Sequence, residues 1–92
     1  MNNQRRTALR ELRAKLEALK VSLEETREAL EEIKTTEREA FENMPEGLQA
    51  SEKGQKVEAA ADALDEAFDS LEEAVSSMET STEAIERAIE GE

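Results

Sequence analysis

The chain has 92 residues, 39% of them charged, with two aromatic side chains (Phe41 and Phe68) and a net charge of −12. A chain this short makes at most one domain and has no material for a bulky globular core. Without Cys or His it lacks the groups of most nucleophile–base pairs and of most zinc and iron sites.

Apolar residues still reach 37% and recur at regular intervals, which an acidic disordered tail would not show. The first thirteen residues are polar and basic with no apolar run behind them, unlike a signal peptide. No stretch is long and apolar enough for a membrane span, and the absence of Cys fits an intracellular setting. A soluble, cytoplasmic protein is expected. Residues 1–20 carry six bases (Arg5, Arg6, Arg10, Arg13, Lys15, Lys20) against Glu11 and Glu17, a net of +4. The arginines are candidates for nucleic-acid or membrane contact. The overall charge opposes both, and no aromatic residue is there to stack a base. The segment is expected instead to complement the acidic C-terminal arm.

Helix 1 is expected over about 3–43. Leu9, Leu12, Leu16, Leu19, Leu23, Thr26, Leu30, Ile33, Glu37, Ala40 and Met44 follow the 3-4 spacing of a coiled-coil seam. Only Thr26 and Glu37 interrupt it. Glu37 is expected to reach water or pair with Lys34 or Arg38, and a partner-selecting role is the sharper alternative. Off this seam lie Ala8, Ala18, Val21, Ala29 and Phe41.

The connection is expected at about 44–51, with room for a short helical turn. Pro45 disfavours helix at Met44, and Gly47 permits a left-handed backbone. Ser51 is a candidate N-cap, with Glu52 at the positive end of the following dipole. Gly54 is expected to weaken the first turn.

Helix 2 is expected over about 52–90, with Val57, Ala61, Leu64, Phe68, Leu71, Val75, Met78, Thr82, Ile85 and Ile89 as its seam. The two patterns are mirror images. If facing residues sum to 101, Leu12 meets Ile89, Leu16 meets Ile85, Ile33 meets Phe68 and Ala40 meets Ala61. Residues 44–92 hold fourteen acids against Lys53, Lys56 and Arg87, a net of −11, so antiparallel arms bring opposite charges together. The expected fold is all-α, an antiparallel two-helix coiled-coil hairpin. A further row, Ala60, Ala67, Ala74 and Ala88, either widens the apolar stripe beyond a two-helix seam or is there because Ala is a good helix former. A homodimeric four-helix bundle is the first expectation, and a groove for a different protein the second.

Asp62, Asp65, Glu66, Asp69, Glu72 and Glu73 form an acidic stripe at helical spacing. A solvated face is the plain reading, and imitation of DNA phosphates the sharper one. Calcium is not expected, since no Asp-rich, Gly-turned ligand loop is present. Catalytic carboxylates need a pocket that raises one of them, and a two-helix arrangement offers none. Gly47 and Gly54 match no phosphate-binding loop. No enzyme activity, cofactor or metal is expected.

The stretch from Phe41 to Gly54, reading Phe-Glu-Asn-Met-Pro-Glu-Gly-Leu-Gln-Ala-Ser-Glu-Lys-Gly, resembles the elbow of small acidic hairpin proteins of Gram-positive phages, prophages and mobile elements. The likeness covers residues 40–75, with Gly47 standing where Ser is usual. It implies a helical hairpin and a mobile-element setting, and no settled activity. The expected role is a non-catalytic protein-interaction or adaptor module. The alternative is an acidic DNA mimic or anti-defence inhibitor of a host protein. Candidate partner-binding residues are Phe41, Met44 and Leu48 at the elbow and Asp62, Asp65, Glu66, Asp69 and Glu72 on the stripe.

Overall fold

Ala, Glu, Leu, Lys and Arg lose little side-chain freedom on a helix, and a chain so rich in them forms little else. In a computed structural model, which describes residues 2–91, α1 spans Asn3–Glu42, α2 Glu46–Gln49 and α3 Glu52–Glu90. The two long helices pack against each other as a helical hairpin. The Asn2 side chain opens α1 by accepting the Arg5 backbone N–H at 2.8 Å, an N-cap bond.

The chain divides into two compact units, Met1–Glu25 with Glu73–Glu92 and Thr26–Glu72. In the first unit, Leu9, Arg13, Leu16, Lys20 and Leu23 of α1 are partly buried, as are Met78, Thr82 and Ile85 of α3, and Val75 and Ile89 are buried. In the second, the partly buried rows are Arg27, Leu30, Lys34, Glu37 and Phe41 on α1 and Val57, Leu64, Phe68 and Leu71 on α3, around a fully buried Ala61. The α3 seam is the one its spacing predicts.

The α1 seam is not. The row Leu9, Leu16, Leu23 and Leu30 faces α3 as expected. Its companion is the next residue along, Arg13, Lys20, Arg27, Lys34 and Phe41, in place of Leu12, Leu19, Thr26, Ile33 and Ala40. Leu12, Leu19 and Ile33 are 50%, 55% and 58% exposed. Phe41, expected off the seam, is partly buried on it, and Lys34 rather than Ile33 covers Phe68, its ammonium 4.3 Å from the ring centre. The long cationic stems serve as apolar cover while their heads reach water and carboxylates.

Cross-helix polar contacts report the register. Lys20 meets Glu79 at 3.1 Å in the first unit. In the second, Arg38 meets Asp62 at 2.8 Å and Asp65 at 2.7 Å, and Lys34 lies 3.9 Å from Asp65. These paired numbers sum to between 99 and 103, around the expected 101. A slip of one heptad would move the sums to about 94 or 108.

The elbow, within the second unit, is closed by its own polar atoms. Pro45 precedes α2 with an extended backbone (φ −56, ψ 147), and its carbonyl accepts the N–H groups of Leu48 and Gln49 at 2.9 and 3.0 Å. The Gln49 side-chain amide donates to the carbonyls of Phe41 at 2.9 Å and Glu42 at 3.4 Å at the end of α1, where the Phe41 carbonyl also accepts the Met44 N–H at 3.1 Å. The Ser51 hydroxyl donates to the Leu48 carbonyl and accepts the Gly54 N–H at 3.2 Å, which makes Ser51 the N-cap of α3. Two expectations about glycine are corrected here. No described residue has positive φ, so Gly47 does not supply a left-handed turn. Gly54 is buried, and a Cβ there would lie 2.3 Å from the carbonyl oxygens of both Leu48 and Gln49. Its role is to let α2 approach α3 rather than to loosen a turn.

Candidate interaction surface

The ion pairs identify the two sides of the helix pair. Within each unit the cationic row of α1 leans toward one side of the seam, where Glu79 or Asp62 and Asp65 of α3 receive it. That side is charged on both helices. Hydrogen bonding to Glu79 raises the Lys20 ammonium above its ordinary value, and desolvation opposes the rise. Hydrogen bonds to Asp62 and then Asp65 raise the Arg38 guanidinium in the same way.

The other side has a different chemistry. In the first unit α1 presents Ala8, Leu12, Lys15, Leu19 and Ser22, and α3 presents Ala74, Ser77, Ser81, Ala84 and Ala88, with Gly91 just past its end. In the second unit, taken by itself, α1 presents Thr26, Ala29, Ile33, Thr36 and Ala40, and α3 presents Ala60, Ala63, Ala67 and Ser70. All are exposed except Ala74, which is partly buried. Lys15 is the single charge among these twenty positions, in a chain where 39% of residues are charged. The same heptad rows continue into exposed Arg5 of α1 and into Lys56 and Lys53 of α3, where the uncharged stretches end.

Little else in the chain is hidden from water. Only Ala61, Val75 and Ile89 are buried apolar residues among those described, and the accessible surface is 6476 Å². A compact monomer of 10.3 kDa exposes about 5,400 Å². The chain on its own therefore leaves roughly 1,100 Å² more surface in water than its mass requires.

The structure separates the candidate residues read from sequence. Phe41 and Met44 are partly buried, Phe41 within the seam, and Leu48 is 39% exposed. Asp62 and Asp65 are both engaged by Arg38, whereas Glu66, Asp69 and Glu72 are exposed. The acidic stripe is thus partly consumed by the fold. Glu37 is partly buried, and its two expected partners, Lys34 and Arg38, turn to α3 instead. Leu12, Leu19 and Ile33 were legible as apolar positions but not as surface. The signal that marks the face is the lack of charge at heptad spacing along α3, of which the alanine row is one half and Ala63, Ser70, Ser77 and Ala84 the other.

Among the described residues no helix is long and apolar enough to cross a membrane. No family model, curated protein or solved structure matches the chain. What the fold and this surface define is a helical hairpin with one charged and one uncharged face in each unit.

Proposed function

We propose that the chain is a non-catalytic protein-interaction module acting through the uncharged face. The observation that carries this reading is the exposure of Leu12 and Leu19 in the first unit and of Ile33 in the second, each on a side nearly free of charge within its unit, while α1 turns lysines and arginines toward α3. Burying Leu and Ile instead of leaving them in water is worth about 1.5–3 kcal/mol per side chain, so a chain that forgoes this alone recovers it by association. The elbow resemblance supports a phage or mobile-element setting, in which a small adaptor for a larger protein is a fitting role.

The test compares the full chain with the triple variant Leu12→Asp, Leu19→Asp, Ile33→Asp. All three positions are already exposed, so helix content by circular dichroism is expected to stay near wild type. Proteins retained on the immobilised wild-type chain, its own copies included, are expected to be lost with the variant. Equal retention by both would overturn the reading.

A further inference from the structure

Resting on the reading just given, the next question is what covers the face, and three observations converge on one occupant. The first is size. On this face α1 offers Leu12, Leu19 and Ile33, whereas α3 offers only Ala and Ser. Two copies laid face to face can set α1 on the partner's α1 or on the partner's α3. The first arrangement stacks Leu on Leu along one helix pair and Ala on Ala along the other. Helix spacing runs from about 8 to 10 Å according to side-chain size, so the two pairs would demand different spacings. The second sets large residues on small ones everywhere and needs a single spacing.

The second observation is charge. Residues 44–92 carry a net of −11 and residues 1–20 a net of +4. Setting α3 on the partner's α3 brings two strongly acidic helices together. Setting α1 on α3 keeps the basic start of α1 beside acidic residues of both copies. The third is extent. The surplus surface of about 1,100 Å² per chain exceeds the roughly 800 Å² per partner that a standard interface covers.

We propose that the occupant is a second copy of this chain, related within each unit by a two-fold axis parallel to the helices, with α1 of one copy antiparallel on α3 of the other. Such an axis keeps residues at the level they have in their own hairpin. Leu12 packs on the partner's Ala88 and Leu19 on the partner's Ser81 in the first unit, and Ile33 packs on the partner's Ala67 in the second. The Leu9, Leu16, Leu23 and Leu30 row of α1 then lies between the seam with its own α3 and the contact with the partner. This accounts for the turn of α1 away from the row its own spacing favours.

The chain has no Cys, so single cysteines report the pairing directly. Leu19→Cys and Ser81→Cys chains, refolded together from urea and oxidised, are expected to yield a covalent heterodimer, and each variant alone little of it. Sedimentation equilibrium is expected to show a dimer for the wild type. For Leu19→Asp, where two carboxylates are desolvated per dimer, a dissociation constant at least ~100-fold higher is expected, with helix content retained. Cross-linking of Leu19→Cys to itself as readily as to Ser81→Cys overturns the proposed pairing. So does a wild type that sediments as a monomer throughout. If that monomer still retains another protein through Leu12, Leu19 and Ile33, the interaction reading stands without self-pairing. If it retains none, both fall.

Discussion

Gly54→Ala is the substitution on which two well-known effects disagree, and the structure decides between them. Gly54 lies in the first turn of α3 with an ordinary negative φ. Helix propensity alone predicts that Ala stabilises it by up to about 1 kcal/mol. The new Cβ, however, would lie 2.3 Å from the carbonyl oxygens of Leu48 and Gln49 and 2.6 Å from the Gln49 carbonyl carbon. These are backbone atoms of α2 and its end, and they cannot swing aside as a flexible side chain would. Relieving the contact takes a shift of about 1 Å between α2 and α3, and overpacking of this kind costs typically 1–3 kcal/mol. The same shift pulls on the Gln49 bonds to Phe41 and Glu42 and on the Ser51 cap of Gly54, each worth about 1 kcal/mol. The clash wins, and a net destabilisation of about 1–3 kcal/mol is expected. For a chain of this size that lowers the melting temperature by about 5–15 °C. Urea and thermal unfolding followed by circular dichroism at one fixed protein concentration measure it, since association shifts apparent stability. Gly47→Ala is the matched control. It has no neighbour within 4 Å and no positive φ, so the propensity gain survives, and a rise of up to about 1 kcal/mol is expected. A Gly54→Ala chain as stable as wild type or more so would refute the close-approach account.

Three further outcomes follow from the same contacts. Gln49→Ala removes the amide that serves the Phe41 and Glu42 carbonyls and is expected to cost about 0.5–1.5 kcal/mol in urea unfolding. Lys34 lies over Phe68 mainly as cover, so Lys34→Met is expected within about 0.5 kcal/mol of wild type, whereas Lys34→Ala loses about 1 kcal/mol of packing. Equal loss in both would show that the charge matters more than the stem. The Lys20 ammonium is raised above 10.5, chiefly by its hydrogen bond to Glu79. A raised folded-state value means that its stabilisation is fully present below 10.5 and is lost as pH rises through the raised value. The advantage of wild type over Lys20→Met in thermal melts is therefore expected to hold at pH 9 and to close as pH rises through the raised value, above 10.5. An advantage that instead disappeared on acidifying from pH 9 to 7 would contradict the assignment.

The elbow illustrates how a sequence signature can be structural. Gln49, Ser51 and Gly54 are the parts of the Phe41–Gly54 stretch that make α2 a closed joint. One ties α2 to the carbonyls at the end of α1, one caps α3, and one removes a Cβ. From sequence the Ser51 cap was readable because its chemistry is local. The need for glycine at 54 rather than 47 was not, because it depends on where the carbonyls of another segment come to rest.

Heptad spacing and charge were enough to determine an all-helical antiparallel hairpin, the α3 seam from Val57 to Ile89, and a register near 101. All of these are properties of periodicity and of net charge along the chain. Which two rows of α1 face α3 was decided only by the tertiary structure. The Leu9, Leu16, Leu23 and Leu30 row belongs equally to a seam completed by Leu12, Leu19 and Ile33 and to one completed by Arg13, Lys20, Arg27 and Lys34. Apolar periodicity prefers the first. It does not register that a long cationic stem can cover Phe68 as a leucine would while its head reaches a carboxylate, nor that α3 places Asp62, Asp65 and Glu79 on one side of its seam and Ala and Ser on the other. With the acids on that side the cations follow, and the leucines of α1 are left on the face that other chains can reach.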